Sequence, residues 1–359
     1  MGRMGRLAIL FALTLAAPAE EPGLPPPAVR EIERLVTARM LRAKIPGLTV
    51  AVGLRARPAW VRAFGTADLE NSVAAAPETV YRIGSISKTI TAVAVLQLFE
   101  RGRLDLDAPI QKYVPSFPIK PWPITPRQLL AHMSGIRHYR SEAEVETTRH
   151  YANLLDPLRA IGAEPLLFEP GTDFTYSTYG YNLLGPAVEA ASGARFLDYL
   201  RANVFAPAGM EHTGADDVFH LVPRRARGYR RSLDGSIENC ALVDTSNKIP
   251  GGGMISTAED LVRFAGAIER GELLKPSTRD LMFAPQTVRG GRQTPYGLGW
   301  AFADIDGRRW ILHPGLEPGA SSCLLISPRE GLSVALLANL EQVDLEPLAA
   351  RIAELLLAP

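Results

Sequence analysis

Between residues 28 and 44, apolar and charged side chains alternate at helical spacing, with Ile32, Leu35, Val36 and Met40 on one face. This pattern predicts an N-terminal helix packed on a sheet. Two runs rich in valine and aromatic residues follow, GLTVAVGLR and PAWVRAFG, and with turn residues between them they read as antiparallel strands. The stretch ITAVAVLQLF is apolar nearly all round, which predicts a helix buried on every side. From about residue 100 to 245 the pattern changes to proline-studded loops with helical pieces. Two of these, the segment ending RQLLAHMSG and the segment NLLGPAVEAASG, close on Gly135 and Gly193, residues suited to cap a helix C-terminus. Strand signals then return in YGLGWAFADI, RRWILHPG, SSCLLIS and GLSVALLANL, with Asp306-Gly307 as a hairpin turn. A last helix, LEPLAARIAELLLA, has the length to cover one face of the sheet.

Strands at both ends around a helical middle predict an α/β (α+β) fold. It consists of one antiparallel sheet built from both chain ends and flanked by helices, with a mostly helical lobe inserted. The sheet lobe spans about 28–99 and 246–359 and the helical lobe about 100–245. A cleft at their junction is the expected place for a site. The length of 359 residues agrees, since single cores stop growing at about 250 to 300 residues.

Composition narrows the partners. With 39 basic against 38 acidic residues the chain has no basic footprint for nucleic acid, so a small-molecule or peptide substrate is expected. Arg3 and Arg6, the apolar run LAILFALTLAA and Ala17-Pro18-Ala19 have the three-part pattern of a secretory signal peptide, residues 1–19. A Pro-rich spacer, 20–27, follows, and the expected location is secreted or periplasmic. The apolar run of about 11 residues is too short for a bilayer needing about 20, so no stable membrane span remains after cleavage. Cys240 and Cys323 are far apart and define no disulfide framework.

Three stretches carry candidate chemistry. In RIGSISKTI, positions i and i+3 put Ser85 and Lys88 on one face of the first helical turn. Either Ser85 is an N-cap followed by a solvated lysine, or it is a nucleophile. As a nucleophile, Ser85 would have its proton taken by a lysine whose pKa burial and the helix dipole lower. In PGTDFTYSTYGYNLLG, Tyr176 sits in a loop just before a helix, where a phenol either shuttles a proton or packs. In ILHPGLEPGASS, His313 is either structural or an imidazole that reads substrate charge beside backbone amides.

Together, and in this order, Ser-x-x-Lys on a buried helix, Tyr-x-Thr after PGT and His-x-Gly on a late strand resemble the three signatures of the serine β-lactamase and penicillin-binding-protein superfamily. The class C-like branch is the most similar, in particular its mitochondrial serine β-lactamase-like proteins and their bacterial relatives. The resemblance extends through YRIGSISKTITAVAVLQL, GRLDLDAPIQKYVPSFP, LLAHMSGIRHY, GGGMISTAEDLVRF and HPGLEPGASS, from about residue 28 to 340. It implies a β-lactamase/DD-peptidase-like fold, Ser85 as acylated nucleophile, Lys88 as its base, and Tyr176 as proton carrier. It further implies that Thr178, His313, Gly315 and Leu316 bind substrate, with the backbone N–H groups of Ser85 and Leu316 as oxyanion hole. Thr178 stands where many members have asparagine. His313 and Pro314 replace a lysine and a threonine, which weakens a carboxylate clamp. The expectation is therefore a peptidase or esterase with feeble β-lactam turnover. A catalytically weak binding or scaffolding protein on the same fold is the rival reading.

Other constellations are poorer. GASSC lacks the last glycine of Gly-x-Ser-x-Gly. His132 and His138 in HMSGIRH lack the i, i+4 spacing of helical zinc sites, so His132 reads as structural, and no metal or cofactor is expected. The run PRRARGYRR is either a solvated loop or, if it lines the cleft, a selector of acidic substrates.

Overall fold

The strand Gly47–Leu54 pairs with Leu332–Ala338, so the two ends of the chain meet in the middle of one sheet. The computed structural model describes residues 23–358, and the expected signal peptide lies outside them. The sheet has seven strands in the order Val73–Ala74, Arg57–Asp68, Gly47–Leu54, Leu332–Ala338, Ala320–Ser327, Arg308–Glu317, Ala301–Ile305. Every neighbouring pair is antiparallel. The central strands are apolar runs buried on both faces, and alternation divides their side chains between two cores. Val50, Val52, Leu325 and Leu336 pack with Ile32 and Val36 of the helix Pro26–Ala43 and with Ile352 of Glu346–Leu357. Ala51, Leu324, Ala335 and Leu337 face the other core, with Val93 of Ser87–Glu100 and Leu261 of Ala258–Glu269.

The hairpin at Asp306-Gly307 has φ of 50° and 82°, the left-handed pair that a two-residue turn requires. The helix Thr178–Ser192 ends at Gly193 in the left-handed conformation, as its sequence predicts. Gly135 does not play that part. The helix there is only Pro126–Leu130, capped at its start by a reciprocal Thr125–Gln128 box, and it ends at Ala131. Gly135 lies farther on, where a Cβ would come within 2.4 Å of the Phe168 carbonyl oxygen. The stretch 296–300 is likewise loop, and the strand begins at Ala301. Both cysteines are free thiols, Cys323 fully buried. No helix among the described residues is long and apolar enough to cross a membrane.

Candidate active site

Gly84–Ile86 forms a 3-10 turn that runs straight into the helix Ser87–Glu100, whose residues from Ser87 to Leu98 are all buried. Ile86, not Ser85, occupies the N-cap position, and no side chain caps this helix. The Ser85 hydroxyl is therefore not spent on the backbone. Other hydroxyls pin the turn. Ser87 Oγ donates to the Gly84 carbonyl at 2.7 Å, and Ser322 Oγ donates to the Ile83 carbonyl at 2.9 Å. Gly84 has φ of 49°, and a Cβ on it would stand 2.8 Å from Leu316 N. On Gly315 a Cβ would stand 2.1 Å from the Ile83 oxygen. These two glycines let the strand Arg308–Glu317 press its backbone against the serine turn, which places the Leu316 N–H there.

Lys88 is completely buried, which excludes the solvated-lysine alternative. Its Nζ lies 2.9 Å from Ser85 Oγ and 3.1 Å from Thr178 Oγ1, and it also bonds the Gly251 carbonyl. Burial holds its pKa well below the ordinary lysine value; Glu317 opposes this and Lys248 reinforces it. Burial favours the neutral amine, which has two N–H donors and one lone pair for these three partners. The donors serve Gly251 O and Thr178 Oγ1, leaving the lone pair for the Ser85 hydroxyl.

Tyr176 directly precedes Ser177, the N-cap of Thr178–Ser192, whose Oγ accepts from Gly180 N at 3.1 Å. The Lys88 Nζ sits 4.8 Å from the centroid of the Tyr176 ring. Burial raises the Tyr176 phenol pKa above its ordinary value, a hydrogen bond with Ser85 opposing, so the phenol stays protonated at neutral pH. His132 is buried behind it, with ring centroids 4.2 Å apart, and its Nδ1 accepts from Ser177 N at 3.1 Å. That is a structural role. Among the described residues no group of three or more His, Cys, Asp or Glu is placed to hold a metal ion.

His313 lines the same cavity, with both ring nitrogens bonded within the protein. Its Nδ1–H donates to the Pro314 carbonyl at 2.7 Å, and its Nε2 accepts from the Tyr296 hydroxyl at 2.6 Å. Burial, with Lys88 nearby, pulls its pKa down to about 3, so the ring is neutral and both nitrogens are occupied.

Ser85, Tyr176, Thr178, His313 and Leu316 line one cavity of about 540 Å³, with Lys88 beneath its floor and Gly315 pressed on the serine turn. Its walls are largely apolar and include the aromatic side chains of Tyr139, Phe174, Tyr296 and Phe302. Two charged residues in the wall escape the sequence reading. Lys248 and Glu317 form an ion pair with side chains only 1% and 4% exposed. The available signal was Glu317 itself, an acid at the end of the strand Arg308–Glu317 that needs a partner once buried. The arginine run does not line this cavity. Arg225 pairs with Asp216, Arg227 with Glu70 and Arg230 with Glu238.

Residues 32–357 match the Beta-lactamase family. The human mitochondrial serine beta-lactamase-like protein LACTB is 30% identical over 415 residues, covering 86% of this chain and 76% of the relative. A penicillin binding protein from Bacillus halodurans superposes with a TM-score of 0.76 at 28% identity, covering 90% of this chain and 98% of the other. The D-amino acid amidase of Ochrobactrum anthropi, at 23% identity, shares the fold with a TM-score of 0.78, covering 92% of this chain and 99% of that one.

Proposed function

This chain belongs to the β-lactamase family, and on that premise we propose that it is an exported serine hydrolase working through an acyl-enzyme on Ser85. The observation that carries the reading is the burial of Lys88 with its Nζ 2.9 Å from Ser85 Oγ. As Ser85 Oγ attacks the acyl carbon, its proton passes to the Lys88 lone pair. The backbone N–H groups of Ser85 and Leu316 hold the oxyanion. The protonated Tyr176 phenol donates to the leaving group and is restored by Lys88. A water or amine then takes the acyl group by the same path in reverse.

The reading of a peptidase or esterase with weak β-lactam turnover rests on the substrate side of the cavity. His313 is neutral, Pro314 offers no hydroxyl, and the Lys248 ammonium is matched by Glu317, so nothing there clamps a carboxylate. Export rests on the N-terminal pattern of Arg3, Arg6 and the apolar run.

A serine-reactive phosphonate tests the first part. Folded protein should gain one adduct, located by mass on Ser85, and Ser85→Ala should gain none. No adduct on folded wild type, or equal labelling of the variant, would sink the reading. On the same preparation, uncharged chromogenic esters should turn over at least tenfold faster than a carboxylate-bearing cephalosporin. The reverse order would remove the peptidase or esterase assignment.

A further inference from the structure

Three glycines, residues 251–253, follow the 3-10 turn Thr245–Lys248, and their backbone N–H groups converge on the Lys248 carbonyl at 2.9, 2.8 and 2.9 Å. In a trans peptide the N–H and the C=O of one plane point opposite ways. The plane that aims Gly251 N–H at Lys248 therefore turns Pro250 O outward, and the plane that aims Gly252 N–H there turns Gly251 O outward. Both oxygens end on the buried helix Ser87–Glu100. Lys88 Nζ donates to Gly251 O, and one helical turn farther on Thr91 Oγ1 donates to Pro250 O at 2.7 Å.

Glycine leaves such planes free to turn, so hydrogen bonds must hold them. Larger residues are excluded here. A Cβ on Gly251 would stand 2.6 Å from Thr178 Cγ2, and one on Gly253 would stand 2.5 Å from the Thr245 carbonyl oxygen. Besides Lys88, Thr91 is the one side chain among the described residues that bonds either oxygen, and it is fully buried. The Pro250 ring is packed from the other side, against Gly185 of the helix Thr178–Ser192, where a Cβ would come within 2.6 Å of Pro250 Cγ.

We propose that Thr91 is a positioning residue for the reaction at Ser85. By holding the Pro250–Gly251 peptide, it keeps Gly251 O where that oxygen takes one N–H of Lys88. Thr178 Oγ1 takes the other, at 3.1 Å, and the lone pair is left facing Ser85 Oγ. Without the Thr91 bond, Pro250 O is a buried acceptor with no donor, and its peptide turns to find one. Gly251 O then leaves Lys88, and the amine rotates its lone pair off the serine. This proposal rests on the acyl-enzyme reading above, since it concerns the base of that reaction.

Thr91→Val replaces the hydroxyl by a methyl group of nearly the same size, and Thr91→Ser restores it. Thr91→Ala, which removes the hydroxyl and adds nothing, stands in if the valine variant does not fold. Labelling by the serine-reactive phosphonate over a range of concentrations separates the chemical step from binding. In Thr91→Val the maximal labelling rate should fall about tenfold, the worth of one hydrogen bond, while the half-saturating concentration stays within about twofold of wild type. Thr91→Ser should regain most of the rate. Thr49→Val removes an equally buried hydroxyl, bonded to Tyr81 at 3.1 Å, and should leave the rate unchanged. A maximal rate in Thr91→Val within about twofold of wild type overturns the proposal, as does a rise in half-saturating concentration as large as the fall in rate. A loss in Thr91→Ser or Thr49→Val as large as in Thr91→Val overturns it too, because packing and not the bond would then be the cause. Absence of labelling in folded wild type defeats the hydrolase reading, whereas labelled wild type with an unaffected Thr91→Val defeats only the role of Thr91.

Discussion

Replacing Lys88 with methionine is expected to slow acylation of Ser85 by about a thousandfold, the worth of a well-placed base. Methionine keeps the length and nearly the volume of the buried stem, so the cavity floor stays filled. What disappears is the lone pair 2.9 Å from Ser85 Oγ, and with it the donor to the Gly251 carbonyl, a loss of about 1–3 kcal/mol in stability. The rate of phosphonate labelling, set beside a urea unfolding curve, reads the two effects separately. A tenfold loss or less would mean that another group activates the serine. The wild-type pH profile carries the sign of the mechanism. Acylation needs the neutral amine, so the rate should fall with pH below the folded pKa of Lys88 and be flat above it. Because burial depresses that pKa, the plateau should begin well below the pH at which an ordinary lysine loses its proton. A rate still climbing at about pH 10 would indicate a lysine of ordinary basicity.

Glu317→Leu is expected to cost about 3–5 kcal/mol, because it strands the Lys248 ammonium in a wall where neither partner meets water. Lys248 would retain the Val145 carbonyl, at 3.1 Å, and the face of the Tyr139 ring, 5.8 Å away, neither of which carries a charge. The double variant Glu317→Leu with Lys248→Met removes both charges and should recover most of the loss. Urea unfolding of both variants decides the matter: equal losses in single and double variants would show that packing, not charge, is at stake. The pair also biases the base. Glu317 holds the Lys88 pKa up and Lys248 pushes it down. Loss of Glu317 should therefore move the rising limb of the acylation profile to lower pH, and Lys248→Met alone should move it higher.

The buried helix was legible because its residues are apolar on every side, and a polar pair at its mouth then stands out against the pattern. The central strands were legible for a similar reason, since Gly47–Leu54 and Leu332–Ala338 are short apolar runs bounded by turn residues, the signature of strands buried on both faces. Other features depend on what meets in space. Ser85 looked like a cap because Ser, at the start of a helix, normally is one; the 3-10 turn shifts the helix start by two residues and releases its hydroxyl. The commitment of His313 to Tyr296 joins a strand to a loop residue seventeen positions away, and no periodicity encodes that contact. Lys248 and Glu317 are hidden in the same way, each unremarkable until folding removes water from both. Gly135 misled as a cap because close backbone approach requires glycine as firmly as a helix end does.

The pairing of Leu48 with Ala338 has a consequence for how the molecule comes into being. The strand Gly47–Leu54 has no permanent neighbour on one side until the chain has been made as far as Leu332–Ala338. Such long loop closure makes folding slow. At synthesis rates of about 5–20 residues per second, the first hairpin waits for many seconds with an open apolar edge. The serine turn is anchored through Ser322 and Leu316 to that same late segment. The nascent chain therefore carries the Ser85 turn unassembled until this segment has been made, and any chain that stops before Leu332 lacks the strand that joins the two halves of the sheet.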